Sequence, residues 1–446
     1  MAGFVKGAWW LGRTALRRDA LRILEAGLAA VKPRPAIRRL VSLEGDRMVV
    51  AGESYDLSKV RRLLVVASGK AAFEAGSELE CILGKRIAAG FVLDVKGGRL
   101  RRTACRVGTH PFPSQTNVNA TAEIVLLLKD ATADDLVLMV VSGGGSALLC
   151  EPNDLSCADL ELITKAMMAK GATIEEMNVV RKHTSNVLGG QLMAVAHPAR
   201  VVSLIFSDVP TDDLSVVSSG PTYLDETTVT DAQAVLDKYE LLKTCRLPTC
   251  NLKETPKDPA LFSHVRNVRA VSNAEAVDAM RGEAFRLGYH ARVLSTVLTG
   301  EARDVGARLA EDVKPGEALI AAGETTVTLL GHGAGGRNQE VALGAISRVP
   351  EDALVLSCAS DGIDNSPIAG AIADAVVRDA AALMALVRTA TSVTAGADGP
   401  FVGERVGALI LPAAGRAGDK LVRSAGLTER FPVDPIGDPC HGAASG

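Results

Sequence analysis

The chain has 446 residues, too many for one ordinary hydrophobic core, so two domains are expected. Apolar residues make up 47% of it and aromatics only 3%, so the interior must be built from Ala, Val, Leu and Ile, which suits parallel sheets covered by helices. The net charge of -3 comes from 49 basic and 52 acidic residues mixed along the chain, without the basic surplus that a nucleic-acid backbone attracts, and this argues against nucleic acid as a partner.

The segment from Met1 to Arg18 is basic, carries Trp9 and Trp10, and weakly resembles an organelle-targeting peptide, with a mitochondrial location as the minor alternative. Against this, Leu16, Ala20, Ile23, Leu24, Gly27, Leu28 and Val31 share one helical face, which predicts an amphipathic helix over Ala15 to Val31 that stops before Pro33. Leu63 to Ala67 reads as a buried strand followed by the tight loop Ser68-Gly69-Lys70 and an Ala-rich helix. Leu136 to Val141 is the longest apolar run, far short of the roughly 20 residues that span a bilayer, so no membrane association is expected. It leads into Ser142-Gly143-Gly144-Gly145-Ser146, and Val201 to Phe206 likewise leads into Ser207 and Asp208 to Asp213. Polar residues just past buried strands mark the carboxyl edge of a parallel sheet, where ligands bind.

Cys245 to Pro259, with Pro248, Pro256 and Pro259, reads as a linker, and a second set of strand and helix units follows from Val268. There Ala318 to Ala322 and Thr326 to Leu330 look like an antiparallel pair around Gly323-Glu324-Thr325. A Gly-rich turn from Gly331 to Gly336 opens a helical stretch around Val341 to Ser347, and Leu354 to Cys358 is another strand, ending at Asp361 to Asp364. The eight cysteines, among them Cys81, Cys105, Cys150 and Cys157, form no CxxC pair, and so read as reduced thiols of a cytoplasmic protein.

Several of these stretches carry chemistry. Ser142, Gly143, Gly144, Gly145 and Ser146 would let backbone N–H groups approach a phosphate, although the same residues also make a plain turn. Without a following Lys-Ser/Thr pair this is not a P-loop. Lys70 stands at a strand end, where an ammonium could reach a transferring phosphoryl group. Asp208, Asp212 and Asp213 supply hard oxygen donors of the kind Mg²⁺ takes, with helix capping as the competing role of Asp213. Asp361 and Asp364 form a similar pair. Arg337 follows a glycine run and has the planar fork that clamps a carboxylate or phosphate. His110, held by Pro111 and Pro113, reads first as structural.

Gly331, Gly333 and Gly336 also satisfy a dinucleotide fingerprint, with Asp361 at the spacing of a ribose-binding acid, and this would suit an NAD(P)H-dependent hydroxypyruvate reductase. The antiparallel pair expected before the turn and the polar run Arg337 to Glu340 argue against that reading.

As a set, other stretches are more specific. Gly69-Lys70-Ala71-Ala72, His110-Pro111 with Pro113, Ser142 to Leu149, and Asn178 through Arg181-Lys182-His183 to Gly189-Gly190 come first. Ser207-Asp208-Val209-Pro210, Asp212-Asp213-Leu214-Ser215, Ser219-Gly220-Pro221-Thr222, Gly323-Glu324-Thr325-Thr326, Gly335 to Glu340 and Asp361-Gly362-Ile363-Asp364 follow in order. Together they resemble the class II glycerate kinase family, also called glycerate 2-kinase or MOFRL. The resemblance implies an α/β protein with a Rossmann-like parallel sheet over residues 1–255, a MOFRL-type α/β domain over 256–446, and an active site in the cleft between them. It implies transfer of the γ-phosphoryl group of ATP to the 2-hydroxyl of glycerate, with Mg²⁺, in the cytoplasm, and it is compatible with a homodimer.

On the same basis Lys70 and Arg337 are the catalytic residues; Asp208 joins them as a candidate, since Asp208 or Asp212 would accept the hydroxyl proton or ligate the metal. Ser142 to Ser146, Asn178, Arg181, Lys182, Glu324, Asn338 and Glu340 would bind substrate or nucleotide, and Asp212, Asp213 and Asp361 would hold the metal. The carboxylate of glycerate would fall to Arg337. The chain departs from the family pattern at Ser114-Gln115, where Asp-Glu is usual, at Leu188, where a Lys is usual, and at Pro412 to Asp419, which replaces a Thr-Gly-Thr-Asn-Val segment. These changes leave room for a different 2-hydroxy acid as acceptor, or for a weak relative kept as a ligand-binding protein.

Overall fold

The structure, a computed structural model, describes residues 4–207, 213–328, 335–360, 362, 364 and 368–381, with 408–409, 423–424 and 429–431. Its contacts divide the chain into two compact units, Lys32–Ser272 and Met1–Val31 joined with Asn273–Gly446.

The chain begins in the second of these with α1 (Ala8–Leu11) and α2 (Ala15–Val31). α2 forms over the span that its periodicity predicts, with Leu21, Gly27 and Leu28 buried. Gly27 lets it close on a neighbouring helix, since a Cβ there would lie 2.7 Å from the Met280 side chain.

The first unit opens with α3 (Pro33–Leu40) and an antiparallel meander of β1 (Val41–Glu44), β2 (Arg47–Val50) and β3 (Glu53–Asp56). Then come β4 (Leu63–Ser68), α4 (Ala72–Leu83), β5 (Ile87–Asp94), β6 (Ala104–Val107), α5 (Gln115–Lys129) and β7 (Leu136–Ser142). After them follow α6 (Gly145–Leu148), α7 (Cys157–Ala169), α8 (Ile174–His183), α9 (Gln191–Ala196), β8 (Arg200–Phe206), α10 (Val229–Lys238), α11 (Leu241–Cys245) and β9 (Val265–Val271). Six of these strands pair in parallel in the order β6-β5-β4-β7-β8-β9.

β4 and β7 are buried along their whole length, which is why they read as unbroken apolar runs. The chain moves outward from β4 to β6 and then restarts at β7 on the other side. The switch in strand order therefore lies between β4 and β7, and their carboxyl ends are where such a sheet opens a ligand crevice.

The expected division at residue 255 does not match the contacts. β9 pairs with β8, covering a strand that would otherwise present a bare edge, so the first unit runs to Ser272. Nor is Cys245 to Pro259 a free linker. Lys253 N donates to His183 O at 2.8 Å, Asn153 Nδ2 to Asn251 O at 2.7 Å, and Thr255 Oγ1 to an Asp225 carboxylate oxygen at 3.1 Å, so the segment is tied down along its length.

The second unit continues with α12 (Asn273–Arg286), β10 (His290–Leu298), α13 (Ala302–Asp312), β11 (Glu317–Gly323), α14 (Arg337–Ala345), β12 (Leu354–Cys358) and β13 (Gly370–Asp374). β12 and β13 are antiparallel, and β13 also pairs with residues 429–431. The expected antiparallel pair around Gly323 is not formed: β11 lies parallel to β10 with α13 between them, and Thr326 makes only an isolated bridge to Glu301. Residues 329–330 of that expected pair lie outside the described residues. No helix among the described residues is long and apolar enough to cross a membrane.

Candidate active site

The site grows from the ends of β4 and β7. Gly69 has φ +113°, and a Cβ there would collide with the Ser142 backbone and hydroxyl, so the close approach of the two strand ends requires glycine. The loops are then stitched together: Lys70 N donates to Gly143 O at 2.9 Å, Ala71 N to Ser142 Oγ at 3.1 Å, and Ser142 Oγ to Ser68 O at 3.2 Å. With its backbone fixed, Lys70 extends an exposed side chain. A Cβ on Gly144 would meet the His110 ring at 3.0 Å and Lys70 Cγ at 3.1 Å, so those two side chains flank the glycine. Burial lowers the pKa of His110, and the charges of Lys70 and Arg181 lower it further.

Two serines missed by the sequence reading complete this floor. Ser218 Oγ donates to Ser142 O at 2.7 Å, and Ser219 Oγ donates to the Asn178 carboxamide oxygen at 2.9 Å while lying 2.8 Å from Ser146 Oγ. Both serines have positive φ, at 53° and 56°, a backbone state that non-glycine residues rarely hold and that concentrates at functional sites. Only the Ser219-Gly220-Pro221-Thr222 match hinted at them.

α8 starts at a capping box between Thr173 and Glu176 and carries Asn178 and Arg181 one turn apart. Arg181 lines a crevice with Pro111, Ser146, Glu151 and Ser185. Its neighbour Lys182, expected to bind substrate or nucleotide, is taken up elsewhere: its ammonium sits 2.9 Å from Asp225 Oδ1 in a buried pair. Burial pushes the Asp225 carboxyl up, but the Lys182 hydrogen bond and charge, together with Thr227, outweigh it and hold the group below the usual carboxylate range. Leu188, where the family has Lys, is buried in the core of this unit.

In the second unit, Arg337 donates to the Glu324 carboxylate and, at 3.2 Å, to Thr325 O. The start of α14 is closed by Asp364, whose carboxylate accepts Asn338 N at 3.1 Å and Gln339 N at 2.9 Å. Asn338 is committed at both ends, donating Nδ2 to Asp364 and accepting from Ser357 Oγ at 2.7 Å, and Glu340 pairs with Arg303 at 2.6 Å. Asn338 and Glu340 thus both have protein partners. A pyrophosphate at this helix start would meet a position already filled by the chain's own carboxylate. Gly331, Gly333 and Asp361 of the dinucleotide pattern lie outside the described residues.

The expected Mg²⁺ ligands do not assemble among the described residues. Asp213 spends Oδ1 on the Ser215 N–H at 2.9 Å and the Ser215 hydroxyl at 2.7 Å, the capping role. Asp208, Asp212 and Asp361 lie outside the described residues, and no group of three His, Cys, Asp or Glu converges within them.

A family described as a domain of unknown function, DUF4147, matches residues 19–249, and the MOFRL family matches residues 317–414. The glycerate 2-kinase of Pyrococcus horikoshii is 34% identical over 384 residues, covering 80% of this chain and 86% of its own length. The D-glycerate 2-kinase of Thermotoga maritima is 33% identical, covering 81% and 86%. The chain belongs to the glycerate kinase family.

A crystal structure of Thermotoga maritima glycerate kinase superposes with a TM-score of 0.71 at 30% identity, over 82% of this chain and 89% of that one. A protein of Agrobacterium vitis named as a putative hydroxypyruvate reductase is 35% identical over 68% of this chain and 83% of its own. Within the family frame, the DUF4147 match takes in β4, β7 and α8, and the MOFRL match begins at β11 and takes in α14.

Proposed function

We propose that the protein is an ATP-dependent glycerate 2-kinase, producing 2-phosphoglycerate. The observation that carries the reading is Lys70 beside His110 at the strand-order switch, over loops stripped of side chains at Gly143, Gly144 and Gly145. Phosphoryl transfer asks for positioning and neutralisation of charge more than for covalent help. The 2-hydroxyl oxygen forms the new bond to the γ-phosphorus as the bond to ADP breaks, with the Lys70 ammonium against the transferring oxygens. Burial and two neighbouring cations keep His110 neutral at pH 7, so its ring can accept the hydroxyl proton. Asp208 and Asp212, the other candidate acceptors, lie outside the described residues. Arg337 belongs to the other unit, and its part in the reaction rests on the family match. A cytoplasmic location and a requirement for Mg²⁺ belong to the same reading.

The test is ATP consumption against a panel of 2-hydroxy acids, with the phosphorylated carbon located by phosphorus NMR. Enolase should consume the product directly. A signal that appears only after a phosphoglycerate mutase is added would assign the phosphate to the 3-position instead.

A further inference from the structure

Among the described residues the buried cations are paired: Arg17 with Asp374, and Lys182 with Asp225. Arg181 differs. Its side chain is only partly buried, and among the described residues it has no hydrogen-bond or ion-pair acceptor, while burial lowers its pKa. Glu151, the acid lining the same crevice, makes no ion pair with it, and burial holds the Glu151 carboxyl above its usual range. A half-buried guanidinium in a crevice, with no protein acceptor among the described residues, is placed to receive an anion. The fork suits a carboxylate, which it can hold through two parallel N–H donors.

The hydrogen-bond directions around it are also informative. Ser185 Oγ accepts from Val187 N at 3.1 Å and Leu188 N at 3.2 Å, so its own proton is uncommitted. Ser219 gives its proton to Asn178, so the bond between Ser146 and Ser219 must run from Ser146, leaving Ser146 Oγ with lone pairs only. The crevice thus offers a cation and a hydroxyl donor on one part of its wall and an acceptor for an alcohol on another.

We infer that Arg181, with the Ser185 hydroxyl, holds the carboxylate of the acceptor, while Ser146 Oγ accepts from an acceptor hydroxyl, so that this crevice selects 2-hydroxy acids. This rests on the kinase reading above and moves the carboxylate from Arg337, which already holds Glu324.

The experiment uses the full chain, glycerate and its uncharged amide, glyceramide, as acceptors. Wild type should discriminate strongly against glyceramide. Arg181→Met should raise KM for glycerate on the order of 100-fold, leave KM for ATP within a few-fold, and lose most of the preference for glycerate over glyceramide. Arg181→Lys, which keeps the charge and loses the fork, should fall between. Because Arg181 has no acceptor among the described residues, Arg181→Met should melt at or above the wild-type temperature, and glycerate should no longer raise its Tm. Unchanged glycerate KM and unchanged discrimination in Arg181→Met would overturn the carboxylate site with the kinase reading intact. A fall in Tm would do the same by making Arg181 structural. Wild-type protein that phosphorylates no 2-hydroxy acid would instead sink the kinase reading itself.

Discussion

Arg17 donates from Nε and Nη2 to the two carboxylate oxygens of Asp374 at 2.6 and 2.8 Å, joining residues 357 apart in sequence. Both are buried, at 1% and 6% exposure, and Asp374 also accepts Val377 N at 3.1 Å. Breaking such a pair strands a charge, so Arg17→Met should cost about 3–5 kcal/mol in urea unfolding, with α2 loosened from the second unit. A loss below about 1 kcal/mol would mean that the apolar face of α2, not this pair, does the holding.

The pair of Lys182 and Asp225 should set a pH dependence. The folded pKa of Asp225 lies below its unfolded value of about 3.9, so its contribution to stability is complete above that value and is lost as pH falls through the folded pKa. Asp225→Asn should therefore cost about 3–5 kcal/mol at pH 7, and the gap to wild type should narrow steadily as pH falls below about 3.9. Parallel Tm curves across that range would refute the assignment.

His110 should set the acid limb of turnover. Its pKa is shifted down from 6.5, so kcat should stay flat at neutral pH and fall as pH drops through a value below 6.5. In His110→Gln, kcat should drop on the order of 100-fold or more and that limb should vanish. A limb that persists in the variant belongs to another group.

Lys70→Ala and Arg337→Ala should each lower turnover about 100-fold or more, the scale for loss of one preorganised charge donor. The exposed Lys70 makes no buried contact to lose, so its variant should melt with wild type. Arg337→Lys should be nearly as harmful as Arg337→Ala if the fork matters. An Arg337→Lys enzyme within a few-fold of wild type would show that charge alone suffices there.

Hydroxypyruvate should not drive oxidation of NADH or NADPH at enzyme rates, because Asp364 fills the start of α14 where a pyrophosphate would sit. Steady oxidation that depends on hydroxypyruvate would revive the reductase reading.

Local pattern determined a good deal of this protein. The α2 span, the buried strands β4, β7 and β8, and the polar loops at the carboxyl ends of β4 and β7 were all legible, because periodicity and continuous apolar runs record which faces are buried. The family resemblance, carried by short motifs in order, named Lys70, Asn178 and Arg181 as candidates. Tertiary structure alone decided the rest. Strand order is a matter of non-local pairing, so only the fold brought the Lys70 loop beside Gly143, put β9 on the edge of β8, and turned β11 parallel to β10. Adjacent residues on α8 point to different surroundings, and that geometry gave Lys182 to Asp225 while leaving Arg181 without an ion-pair partner among the described residues. Asp364 became the cap of α14 for the same reason, since a carboxylate's partner is set by what folding carries to within about 3 Å, which no local spacing specifies.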